Sequence, residues 1–82
     1  MTKTTYSNYE FKDSRDSDCT MNWEVTCDVS HRGETYRATV WCAGEDNRVY
    51  FTARRSSTMR TAKFHAATKD KMVAAMRKWA RV

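Results

Sequence analysis

From Met21 to Val29 apolar side chains recur at every second position. Met21, Trp23, Val25, Cys27 and Val29 alternate with Asn22, Glu24, Thr26, Asp28 and Ser30. That period predicts a strand with one face in a core and the other toward solvent. His31-Arg32-Gly33-Glu34 supplies a turn, in which Gly33 is able to take positive φ. A second strand follows, with Tyr36, Ala38, Val40 and Cys42 inward and Thr35, Arg37, Thr39 and Trp41 outward. After a loop, Ala43-Gly44-Glu45-Asp46-Asn47, a third strand from Arg48 to Arg54 turns Val49, Phe51 and Ala53 inward. Ser56-Ser57-Thr58 breaks or bends that strand. Arg60 to Ala66 then reads as a fourth strand, with Ala62, Phe64 and Ala66 inward and Lys63 and His65 on the opposite face.

The period next lengthens to that of a helix. Thr68 suits an N-cap and Asp70 falls in the first turn, where the helix dipole favours an acid. Met72, Val73, Met76, Trp79 and Ala80 form one apolar stripe, with Lys69, Lys71, Arg77, Lys78 and Arg81 off it. Residues 1–20 are a polar segment whose large apolar groups are Tyr6, Tyr9 and Phe11. Tyr9 and Phe11 alternate with Glu10 and Lys12, which allows a short edge strand. Removal of this segment is expected to be tolerated unless those aromatics cover a core edge. The pattern as a whole predicts an α+β fold over residues 21–82. An antiparallel sheet of three to five strands carries one C-terminal helix on one face.

Composition changes the expected core. The 82 residues include no Leu, Ile, Gln or Pro. Burial must come from Val, Met, Ala, Cys and aromatic rings, each ring covering a large area. The cysteines Cys19, Cys27 and Cys42 are three in number and form no CxxC pair, so reduced thiols are expected. Cys27 falls on an apolar strand face as a small buried hydrophobe. No apolar leader pattern follows Met1 and no run is long enough to span a bilayer, so a cytoplasmic protein without membrane contact is expected.

Charge is strongly asymmetric. Residues 1–47 carry five basic and nine acidic side chains, whereas residues 48–82 carry ten basic side chains and one acid, Asp70. One basic half points to a polyanion or an acidic protein surface as partner.

Catalytic patterns are weak. The histidines are two, His31 in a predicted turn and His65 beside Lys63; no serine stands in a nucleophile elbow, and with two glycines a phosphate-cradling loop is not expected. We expect neither enzyme activity nor a cofactor. Cys19, Cys27, His31 and Cys42 can be written as a zinc set, but strand positions 27 and 31 lie about 13 Å apart. Nothing here resembles paired ligand knuckles, so no metal is expected.

The basic half gives a more specific surface. Arg48, Tyr50, Thr52 and Arg54 fall outward on the third strand, beside outward Arg37, Thr39 and Trp41. Arg55, Arg60 and Lys63 flank them. Arginines bind phosphates bidentately and exposed rings stack on bases, so this face is the expected site. Lys71, Lys78 and Arg81, with Arg77 adjacent, make a secondary basic helix face. If Tyr6, Tyr9 or Phe11 folds over the sheet face, Trp41 and Tyr50 become a second small core instead.

The stretch from Thr35 to Val82 resembles the arm-binding domains of tyrosine integrases, three-stranded sheets followed by one helix. The matching elements are Tyr36-Arg37-Ala38-Thr39-Val40, Arg54-Arg55, Phe64, Thr68-Lys69-Asp70-Lys71 and Met76-Arg77-Lys78-Trp79. The resemblance implies a sheet face in the DNA major groove, through Arg37, Thr39, Arg48, Tyr50, Thr52 and Arg54. The small size and polar start also resemble phage and mobile-element accessory proteins, including anti-CRISPR proteins. Two functions follow as expectations: binding of nucleic acid or a nucleoprotein complex, and protein-binding inhibition of a host machine by occlusion. A monomer or weak dimer, pairing through an edge strand, is the expected state.

Overall fold

The computed structural model describes residues 3–13, 23–42 and 48–82. Four antiparallel strands form one sheet in the order of the chain: β1 (Thr5–Asp13), β2 (Trp23–His31), β3 (Glu34–Cys42) and β4 (Val49–Arg55). One helix, α1 (Ala66–Ala80), packs across one face. This is the expected α+β architecture. Met21, Cys19 and the loop 43–47 lie outside the described residues.

The alternation in β2 and β3 has its expected consequence. Trp23, Val25, Cys27 and Val29 of β2 and Tyr36, Ala38, Val40 and Cys42 of β3 are all buried, and Met72 and Met76 of α1 close the core over them. Ala53 is the buried residue of β4, with Phe51 packed at the margin. Fully burying each Val or Met contributes about 1.5–3 kcal/mol, so the five buried Val and Met side chains at the centre outweigh any surface pair. The turn is tighter than the sequence implies. Arg32 (φ 51°) and Gly33 (φ 80°) both take the left-handed region, the two-residue geometry whose twist matches a hairpin. It sets His31 opposite Glu34, and every pair back to Trp23 opposite Cys42 follows.

The edge strand through Tyr9 and Phe11 is longer than expected and contains a bulge. Tyr6 pairs with Val29 and Glu10 with Thr26, so Asn8 and Tyr9 together face Cys27. Asn8 absorbs the extra residue at φ 54°. The bulge returns Tyr9 to the same side as Tyr6, and both pack on the core beneath the helix.

Two expectations are corrected. Arg60 to Ala66 is not a strand: a single bridge, Arg54 to Thr61, pairs it with β4. The chain then crosses the helix-side face, because Phe64 packs edge-on against Tyr36 (5.0 Å) and Phe51 (6.4 Å). Ala62 and Phe64 do point to the core, while Ala66 is exposed in the helix. Nor is Thr68 the N-cap. The helix starts three residues earlier than that cap implies, His65 is the cap residue without a side-chain cap bond, and no acid lies in the first turn. Ala66 and Ala67 are strong helix formers and extend the helix toward Phe64. The turn expected at Ser56-Ser57-Thr58 is present, closed by the Met59 N–H on the Arg55 carbonyl at 2.7 Å.

Candidate nucleic-acid interface

The face of the sheet turned away from α1 is built by the outward parity of all four strands. Cross-strand registry arranges it in rows. Trp41 stands opposite Tyr50, Thr39 opposite Thr52 and Arg37 opposite Arg54. Six expected site residues therefore share one patch. Trp41 and Tyr50 stack with ring centroids 5.5 Å apart and 20° between their planes, and Tyr50 is 36% exposed. Tyr6 and Tyr9 lie on the opposite side, so they do not cover this pair. The Oγ1 atoms of Thr26 and Thr39 meet at 3.3 Å and continue the hydroxyl row onto β2.

Arg37 has a different environment from Arg54. Its Nη1 donates to Asp28 Oδ1 at 3.0 Å and to the Asn8 carbonyl at 3.1 Å, while Nη2 lies 3.3 Å from Glu10 Oε1. Asn8 Nδ2 also donates to Asp28 at 2.7 Å. These bonds, that from Asn8 foremost, hold the Asp28 carboxyl below the usual carboxylate range. Arg37 is thus a tie between three strands, its charge offset by two acids. The face is consequently divided, with three acids, Glu10, Glu24 and Asp28, and one cation, Lys12, toward β1 and β2 and the aromatic pair and Arg54 toward β4. Hairpin arithmetic carried this signal: counting back from His31 and Glu34 sets Asp28 against Arg37.

The flanking cations form a separate belt along the β4 margin. Arg55 is on the helix-side face, its guanidinium 5.9 Å from the Tyr36 ring centroid and its Nε 3.9 Å from Glu34 Oε2. It lines a cleft of about 550 Å³ with Thr58, Arg60 and Thr61. Lys63 and Lys69 line a neighbouring cleft with Thr52 and Thr61. Arg48 precedes β4 and is exposed. Lys63 reaches this belt from the connection to α1 and does not belong to the sheet face.

The helix cations also separate. Lys71, Lys78 and Arg81 are exposed, but Arg77 is half-buried, 5.7 Å above the Trp23 ring and donating to the Val82 carbonyl at 2.8 Å. Cys27 and Cys42 are core thiols, and burial pushes the Cys27 thiol up to about 11. Among the described residues no group of three His, Cys, Asp or Glu side chains is placed to hold a metal, and no helix is long and apolar enough to cross a membrane. Comparison with protein families, with characterised proteins and with solved structures finds no match.

Proposed function

We propose that this is a small non-enzymatic binding protein of a phage or mobile element. In this reading it acts in the host cytoplasm and engages nucleic acid or a nucleoprotein complex through the β3–β4 half of the sheet and its basic margin. The stacked Trp41 and Tyr50 carry the reading. A solvated sheet face gains nothing from a half-exposed aromatic pair, whereas bases stack on such a platform in a sequence-tolerant way. Thr39, Thr52 and Arg54 lie in the adjoining rows, where hydroxyl and guanidinium donors reach phosphates. Arg55, Arg60, Lys63 and Lys69 supply charge at the margin. Arg37 positions β1 and β2 rather than contacting the ligand.

Anisotropy titration of a labelled single-stranded oligonucleotide tests this. Trp41→Ala should weaken binding by roughly tenfold or more, a loss of about 1–3 kcal/mol per stacked base. Affinity should fall as about one power of salt concentration per phosphate neutralised. Binding indifferent both to salt and to Trp41→Ala rules the reading out.

The divided charge of the sheet face favours a second reading, inhibition of a host nucleic-acid machine by occlusion. A boundary between Glu10, Glu24 and Asp28 and Arg54 of β4 with its basic margin suits a protein surface of inverse pattern. Stoichiometric retention of one protein from nuclease-treated lysate, lost in Trp41→Ala, selects this alternative.

A further inference from the structure

A further cleft, of about 430 Å³, opens on the helix side of the molecule where the β2–β3 turn meets the start of α1. Two stretches distant in sequence, 31–36 and 63–68, converge on it. Arg32 and His31 come from the turn, Lys63 and His65 from the connection, and Thr68 from the first turn of the helix. No carboxylate lines it. Among the described residues Arg32, Lys63 and His65 have no ion-pair partner. Glu34, two residues beyond Arg32, is engaged by Arg55 instead. Arg32 and Lys63 thus present two exposed cations to one cleft with no acid in its lining, a setting that favours an anion.

Arg32 sharpens the point. It occupies a left-handed position, φ 51°, at which Asn or Gly is favoured and an arginine is disfavoured. Its backbone contributes nothing to the turn that Asn would not contribute better, so the side chain is what distinguishes the position. His31 is oriented for a ligand as well. Its Nδ1 is hydrogen-bonded with Thr4 Oγ1 at 2.8 Å, which leaves Nε2 available, and its ring lies edge-on to Phe64 at 5.8 Å. Thr68 adds a hydroxyl, and the first backbone N–H groups of α1 lack a side-chain cap.

We propose that this cleft binds the phosphomonoester of a nucleotide. Arg32 and Lys63 pair with the dianion, the histidines and Thr68 donate to its oxygens, and the sugar or base lies against Phe64. The cleft has room for more than a phosphate and Phe64 gives it an apolar wall, so it can take a ring attached to the anion. A nucleotide suits it better than a phosphopeptide because Lys63 also lines the cleft that leads to Thr52 on the β4 margin. That last choice rests on the nucleic-acid reading above, and the anion site does not. The ligand is either a free mononucleotide or the phosphorylated end of a strand.

Calorimetric titration of the full chain with AMP, adenosine and phenyl phosphate tests the site. AMP should bind at least about tenfold more tightly than adenosine, the worth of one charge-assisted contact. Arg32→Asn keeps the turn geometry and should fold at least as stably as the parent, yet weaken AMP by about tenfold, as should Lys63→Gln. Trp41→Ala should leave AMP binding unchanged, which separates this site from the sheet face. Equal affinity for AMP and adenosine, or AMP binding indifferent to both cleft substitutions, overturns the proposal. Tighter binding of phenyl phosphate than AMP overturns the nucleotide assignment. A 5′-phosphorylated oligonucleotide that outcompetes its 5′-hydroxyl form identifies a strand end as the ligand. AMP binding without that preference identifies a free nucleotide.

Discussion

Tyr9 lies flat on Trp79, with ring centroids 4.1 Å apart and 6° between planes. The pair joins the bulged edge strand to the last turn of the helix, so the N-terminal strand is bound to the far end of the chain. Trp79 is still 49% exposed, and Tyr9 is the ring that covers its face. Stacked pairs contribute about 0.5–1.5 kcal/mol beyond area burial. A double-mutant cycle of Tyr9→Ala and Trp79→Ala should give a coupling in that range by urea denaturation. Removing residues 1–13 should lower the melting temperature by more than Tyr9→Ala alone, because Tyr6 also leaves the core. Tyr9 at the core edge is the exception to tolerated truncation that the sequence allowed.

The Arg37–Asp28 tie makes stability sensitive to acid. The folded-state carboxyl of Asp28 titrates below its unfolded value, so its contribution is complete above about pH 4 and is lost as pH falls through the folded value. Asp28→Asn should flatten the fall in denaturation midpoint between about pH 5 and 2. The same substitution removes one acid beside Arg37. Oligonucleotide affinity should therefore rise at low salt, provided the sheet face is the interface.

Cys27 should act at the opposite end of the scale. Its thiol is held up to about 11 by burial, whereas an unfolded cysteine titrates near about 8.5. The folded state then retains a proton that the unfolded state has lost. Stability is intact below the unfolded value and declines as pH rises toward the folded one. Cys27→Ala should show a shallower decline than the parent across that window. In the native protein Cys27 and Cys42 should resist alkylation until urea exposes them.

Arg81 ends the helix in the left-handed region, φ 60° and ψ 42°, with its N–H on the Lys78 carbonyl (3.3 Å) and the Val82 N–H on the Arg77 carbonyl (3.1 Å). This is the pair of bonds for which glycine is the favoured residue. Arg81→Gly should raise stability by about 1 kcal/mol, since a side chain in that region costs about 1–2 kcal/mol. Thermal melts of the two proteins measure it directly.

Much of the fold was legible because periodicity reports which face a residue takes. The parity of Val25, Cys27, Ala38 and Val40 placed the core, and that of Thr39, Trp41, Tyr50 and Thr52 assembled the aromatic patch. Lys63 and His65 depart from that pattern. Ala62 and Phe64 keep a period of two, but Phe64 finds its partners in Tyr36 and Phe51 across the sheet, so the chain leaves the β4 edge. Periodicity does not distinguish pairing beside a strand from packing over it. The helix start was misplaced because Thr68 and Asp70 resemble a cap, while the position of Phe64 and two alanines determined where winding begins.

By itself, then, the sequence determined the faces of the strands, the hairpin register and the apolar stripe of the helix, all consequences of local geometry. It also determined that the C-terminal half is basic. Only the tertiary structure decided where that charge is felt. Sheet pairing set Glu10 and Asp28 on Arg37 and thereby neutralised the middle of the expected face. Packing of the connection across the helix side carried Lys63 away from the sheet and toward Arg32. Side chains distant along the chain become neighbours through pairing and packing, and their charges add or cancel only at that distance.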